Sequence, residues 1–284
     1  MPNQAVKLEV ANQIAHVILN RPDEFNSLNP QFWDEFPKVF DEIDARDDVR
    51  VVVLSSTGKH FCAGLDLNSF KSINADTPDE DEGRKREAFR RHLLDLHARL
   101  GKVEKCRYPV LAAIQGACVG GGLDMTVCAD SRYCTRDAFF VVQETNIGMA
   151  PDLGTLQRLP KLIPSGIARE LAYTGRRMYG EEAREMGYIN RVFDNHDEML
   201  EAVMEIAAEI ASKSPLAVHG CKEMLNYARD HSVEDSLNYI AIWTAATLVG
   251  GTDLREGVAA FREKRPANYE NLQPVEREKV PHAD

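Results

Sequence analysis

The 284-residue sequence predicts an α/β fold followed by a helical tail. Three observations carry this reading. Short strand-like runs alternate with amphipathic segments along the N-terminal part of the chain. Strand signals stop near residue 195. No repeat of fixed period points to a solenoid.

The elements follow in order. Residues 6–10 and 13–19 alternate apolar and polar side chains and predict a hairpin, closed by Asn20-Arg21-Pro22-Asp23. Asn29 as an N-cap with Pro30 at the first helical position opens a helix, along which Phe32, Phe36, Val39, Phe40 and Ile43 recur at helical spacing. Residues 49–54 form a buried-type strand. The acidic run 76–83 cannot bury itself and predicts a mobile surface loop. Beyond it Phe89, Leu93, Leu96, Leu100 and Val103 make one helical stripe. Arg84, Lys85, Arg86, Arg90 and Arg91 occupy the other face, either as a solvated surface or with one arginine meeting a ligand phosphate. A strand at 110–114, a helix at 121–129 and strands at 131–135 and 138–142 repeat the alternation. Helices at 197–212, 215–229, 233–248 and 254–264 then suggest a smaller helical subdomain, dividing the chain into 1–194 and 195–284.

Composition removes several function classes. The net charge of −11 and pI near 5.3 oppose binding to nucleic acid or anionic lipid, although one pocket can still hold a small anion. The six cysteines contain no CxxC pair and read as reduced, mostly buried thiols. The N-terminal residues resemble neither a signal peptide nor a presequence, and Pro281-His282-Ala283-Asp284 is not a Ser-Lys-Leu address, so the expected setting is cytoplasmic. No HExxH or Cys/His cluster has zinc spacing, which predicts no metal. Lys59 and Lys102 lack the following Ser or Thr of a P-loop, and Gly116-Ala-Cys-Val-Gly120-Gly121-Gly122 is not GxGxxG.

That glycine run still sits where a strand becomes a helix. It is either an oxyanion or anion site made of free N–H groups, or a tight turn with close packing. Phe61-Cys62-Ala63-Gly64-Leu65-Asp66-Leu67 is a second glycine-bearing strand exit. Loops leaving adjacent parallel strands share one sheet edge, so two backbone amides could meet on one oxygen.

At these residues the sequence resembles the enoyl-CoA hydratase/isomerase (crotonase) family. His60-Phe-Cys-Ala-Gly-Leu-Asp-Leu67, Ile114-Gln-Gly-Ala-Cys-Val-Gly-Gly-Gly-Leu-Asp124 and Asp130-Ser-Arg-Tyr133 look like its signature blocks, and the likeness covers residues 5–265. The resemblance implies a crotonase-type ββα superhelix with a C-terminal helical region used to form trimers or pairs of trimers. It implies that the Leu65 and Gly121 N–H groups hold a thioester oxygen, and that Ala63, Gly64, Asp66 and Leu67 receive coenzyme A, which is part of the substrate and leaves no separate cofactor.

The family's hydratases carry glutamates where this chain has Asp124 and Glu144, and here Asp152 adds a further carboxylate. Asp124, Glu144 and Asp152 resemble the pattern of the family's dienoyl-CoA isomerases. That likeness implies Asp152 as a base at C2, Glu144 as an acid at C6, and Asp124 as a neighbour that helps keep Glu144 protonated in fatty-acid β-oxidation chemistry. Asp152 also suits the N-cap of a following helix. A 2-enoyl-CoA hydratase and a Δ3-Δ2-enoyl-CoA isomerase are the competing enzymes, and an RNA-binding relative is the competitor of another class. His16 reads as structural, and Cys62, with no nearby histidine partner, as packing.

Overall fold

A computed structural model describes residues 4–66 and 81–275. β1 (Val6–Ala11) and β2 (Ile14–Leu19) pair antiparallel through a two-residue turn in which Asn12 and Gln13 both have positive φ, the geometry that matches strand twist. The Asn29 side chain accepts from the Phe32 N–H and starts α1 (Pro30–Asp44), whose buried face is Phe32, Trp33, Phe36, Phe40 and Ile43. β3 (Val51–Ser56) is followed by α2 (Glu82–Leu100), the short α3 (Lys102–Lys105), β4 (Val110–Ile114), β5 (Ala117–Val119) and α4 (Gly121–Thr126). β6 (Ser131–Thr135), β7 (Phe139–Val141), α5 (Thr155–Leu162), α6 (Ser165–Thr174), β8 (Met178–Tyr179), α7 (Gly180–Glu185) and β9 (Arg191–Phe193) complete the α/β part.

Two sheets result. The larger runs β1-β2-β3-β4-β6-β9, parallel from β2 onward, and the smaller runs β5-β7-β8. The chain changes sheets between β4 and β5, at Gln115 and Gly116. β3 is buried on both faces, as a parallel strand covered on two sides must be. Val52 and Leu54 join the core beneath α1. Val51 and Val53, with Leu111, Ala113 and Tyr133, pack on Met199, Val203, Ala207 and Ala211 of α8 (His196–Ala211). The helical segment expected from residue 195 therefore opens with a helix that seals the main sheet.

After α8 come α9 (Pro215–Ala228), α10 (Val233–Thr247) and α11 (Asp253–Glu263). Lys222, 7% exposed, ties α9 to the core through Asp130 Oδ2 and the Tyr108 carbonyl. Val233, Leu237, Ile242 and Leu248 stay exposed, as does Phe261 at 86%. Among the described residues no helix is long and apolar enough to cross a membrane.

β5, β8 and β9 have two or three residues each, too short for a side-chain period to register. The helix expected at 121–129 ends at Thr126, because the buried Arg132 guanidinium takes the carbonyls of Thr126 and Ala129 out of the helical pattern. The acidic run lies outside the described residues up to 80, and its last part starts α2 with Asp81 as N-cap.

Phe36 is fully buried beside Phe32 and Phe40, with ring centroids 4.8 and 5.0 Å away. Phe36→Ala should lower the unfolding free energy by about 3–5 kcal/mol in a denaturant titration. A loss below about 1 kcal/mol would place that side chain outside the cooperative core.

Candidate active site

Residues 61–66 pass directly over β5. Cys62 and Cys118 form a parallel bridge, the Phe61 and Cys62 N–H groups donate to Gln115 and Ala117, and the Val119 N–H donates back to Cys62. A second bridge pairs Leu28 with Leu65: the Leu28 N–H donates to the Gly64 carbonyl and the Asp66 N–H to the Leu28 carbonyl. Successive N–H groups of an extended chain point to opposite sides, so the Leu65 N–H faces away from Leu28.

It faces Gly121. A Cβ placed on Gly121 would lie 2.7 Å from Leu28 Cδ1 and 3.9 Å from the Leu65 nitrogen. A Cβ on Gly64, where φ is +94°, would lie 2.9 Å from the Val119 carbonyl oxygen and 3.8 Å from the Gly121 nitrogen. The two strand exits fit together because neither glycine carries a side chain. Among the described residues neither the Leu65 nor the Gly121 N–H donates to a protein acceptor. Of the two readings open for the glycine run, converging donors are what this arrangement offers.

Both amides line a cavity of about 890 Å³, together with Ala63, Gly64, Asp66, Glu144 and Asp152. Leu67 lies outside the described residues. The Glu144 carboxylate stands beside the glycine run, its Oε1 3.0 Å from where a Gly120 Cβ would be. Burial raises its pKa, opposed by backbone hydrogen bonds and assisted by the charge of Asp152.

Asp124 behaves differently. It is 1% exposed and absent from the cavity wall, and its Oδ1 accepts the Thr155 N–H at 2.8 Å, where α5 begins. Its pKa is pushed up to about 7, first by burial and then by the charge of Glu144, against the pull of Thr155. The capping role open to Asp152 thus falls to Asp124, while the N-cap position itself is Gly154, which has no side chain to offer. Asp152 remains at the cavity.

Other candidates separate cleanly. Cys62 is fully buried and its thiol is pushed up to about 12 by burial, far from a reactive thiolate. His16 Nε2 meets Ser55 Oγ at 2.7 Å inside the main sheet. On α2, Arg84, Lys85, Arg86 and Arg91 pair with Asp81, Glu82 and Glu87 one turn away, mostly exposed, and none lines the cavity. These are solvated pairs worth about 0–1 kcal/mol each. Among the described residues no group of three or more His, Cys, Asp or Glu is placed to hold a metal ion.

One contact was not legible in the sequence. His97 of α2 donates from Nε2 to the Asp152 carbonyl oxygen. Its only advance sign is its position, four residues after Leu93 and three before Leu100, at the edge of the apolar stripe.

Comparison with known proteins agrees with this geometry. The enoyl-CoA hydratase/isomerase family matches residues 9–273. The chain belongs to this family. Among its relatives in the family, the peroxisomal Δ3,5-Δ2,4-dienoyl-CoA isomerase of Arabidopsis thaliana is 43% identical, over 95% of this chain and 97% of its own. The mitochondrial Δ3,5-Δ2,4-dienoyl-CoA isomerase of Rattus norvegicus is 44% identical, over 89% and 77%. The crystal structure of an enoyl-CoA hydratase from Bacillus anthracis, 32% identical, superposes with a TM-score of 0.84 over 94% of this chain and 99% of the other. The crotonase-type α/β fold with its C-terminal helices is thereby established, as is a place among enzymes of acyl-CoA thioesters. The expected cytoplasmic setting is corrected: the isomerase relatives are named peroxisomal and mitochondrial. Charge and hydropathy at the two chain ends are a poor guide to compartment.

The buried carboxyl of Asp124 gives a prediction for stability. An acid whose pKa is raised on folding binds its proton more tightly in the folded chain, so stability falls as pH rises from about 4 to about 7. Asp124→Asn keeps an acceptor for Thr155 and removes the titration. The variant should gain on the native chain by on the order of 2–4 kcal/mol across that window, measured by chemical unfolding at several pH values. Parallel curves for the two proteins would contradict it.

Proposed function

We propose that this enzyme is a Δ3,5-Δ2,4-dienoyl-CoA isomerase of fatty-acid β-oxidation, moving a proton from C2 to C6 of a 3,5-dienoyl thioester. The observation that carries the reading beyond the names of its relatives is the division of labour among the carboxylates. Glu144 and Asp152 both face the cavity, whereas Asp124 is withdrawn onto the Thr155 N–H. A hydratase would use Asp124 and Glu144 as a pair gripping one water, and the withdrawn Asp124 speaks against that pair.

In the proposed reaction Asp152 takes a proton from C2. The electron pair spreads over the thioester oxygen, C2, C4 and C6, and the Leu65 and Gly121 N–H groups stabilise the oxygen, each preorganised donor typically contributing about 3–4 kcal/mol. Glu144 then gives its proton to C6, leaving double bonds at C2 and C4. The raised pKa of Glu144 suits an acid that must arrive protonated. The adenine end of coenzyme A lies along Ala63, Gly64 and Asp66, and the coenzyme is part of the substrate rather than a separate cofactor. The exposed apolar residues of α10 and α11, Val233, Leu237, Ile242 and Phe261 among them, support assembly into a homotrimer or a pair of trimers.

Purified protein given a 3,5-dienoyl-CoA should produce the ultraviolet absorbance of a 2,4-dienoyl thioester, with little water addition to a 2-enoyl-CoA measured alongside. Glu144→Gln and Asp152→Asn should each lower kcat by about 10²–10⁴ while retaining acyl-CoA binding. Rapid hydration with no isomerisation would instead favour the hydratase, and full turnover in either variant would remove that residue from the mechanism.

A further inference from the structure

Residues 150–153, which carry Asp152 into the cavity, belong to no helix or strand. The Gly148 and Met149 N–H groups on one side turn back to Thr145 and Glu144, and on the other side Gln157 and Arg158 bond to Gly154. Between these anchors the described residues provide one hydrogen bond, from His97 Nε2 to the Asp152 carbonyl. A carbonyl oxygen only accepts, so His97 carries its proton on Nε2.

His97 is exposed, but the end of its helix is anchored: Leu100 of α2 and Val103 of α3 are buried in the main core, and Arg99, two residues past His97, bonds the Trp33 carbonyl of α1. His97 and Asp152 also share the wall of a second, polar cavity of about 380 Å³, which has Asp152 and Leu153 in common with the larger one. The proton transfers proposed above give this histidine no step of its own.

We infer that His97 is a positioning residue for the base: by holding the Asp152 backbone it fixes the carboxylate relative to C2 of the substrate, without touching substrate itself. The inference rests on the assignment of Asp152 as the C2 base. A base misplaced by a fraction of an ångström abstracts more slowly while the thioester, held elsewhere, binds as before.

The test compares His97→Leu, which fills similar space without a donor, with His97→Gln, which keeps one. Steady-state kinetics on 3,5-dienoyl-CoA should show kcat lowered about three- to tenfold in His97→Leu with KM unchanged, and largely restored in His97→Gln. In a Glu144→Gln background, where return of the proton at C6 is blocked, exchange of the C2 proton with heavy water should follow the same order by NMR. Native kcat and exchange in His97→Leu would overturn the inference. So would an equal loss in both variants accompanied by a lower unfolding midpoint, the signature of a purely structural histidine. Asp152→Asn separates the two levels: if it abolishes exchange while His97→Leu does not alter it, only the His97 inference fails, and if it retains exchange the base assignment fails and takes the His97 role with it.

Discussion

The active-site architecture depends on one close approach, that of the 61–66 segment to β5 and the start of α4. Backbone must meet backbone there: Gly64 lies against the Val119 carbonyl, and Gly121 against the Leu28 side chain and the Leu65 nitrogen. A side chain at Gly64 would collide with the Val119 backbone and push the two loops apart, so that the Leu65 and Gly121 N–H groups no longer lie side by side. The bridges Leu28–Leu65 and Cys62–Cys118 hold the segment from both sides, and β5, in the small sheet, leads directly into Gly121 at the start of α4.

A second constraint follows from placing a carboxylate behind that site. Asp124 is held on the short helix that begins with Gly121, so whatever positions the oxyanion donors also positions Asp124. Its oxygen satisfies the first N–H of α5, an orphan donor that Gly154 cannot cap. The chain thereby joins the donor loop to the segment leading out of Asp152. Burying a carboxyl has a cost, visible as a pKa near 7, and the hydrogen bond to Thr155 offsets only part of it.

The sequence revealed those parts of the molecule whose signal is local. The α1 cap, the alternation in β1 and β2, and the doubly buried β3 were readable because each is written in consecutive residues. Residues 61–67 and 114–124 were readable through glycine spacing and through likeness to a family. β5, β8 and β9 were not, since their pairing comes from the strands beside them. Nor was the exchange of roles at α5, where Asp152 has the composition of a cap and Asp124, thirty-one residues away, does the capping. The His97 contact spans 55 positions and rests on how α2 docks, which no local pattern encodes.

The three carboxylates are chemically similar groups in unequal surroundings. Asp124 is the most enclosed of the three carboxylates and lies near enough to Glu144 to feel its charge. Glu144 is half-buried, with burial raising its pKa and backbone donors opposing the rise. The charge of Asp152 adds to the rise at Glu144, and the charge of Glu144 in turn helps to raise Asp124, a direction that suits the acid's part proposed for Glu144. In the proposed reaction Asp152, on the irregular segment that follows Glu144, takes the base's part, while Asp124 stays withdrawn on the Thr155 N–H.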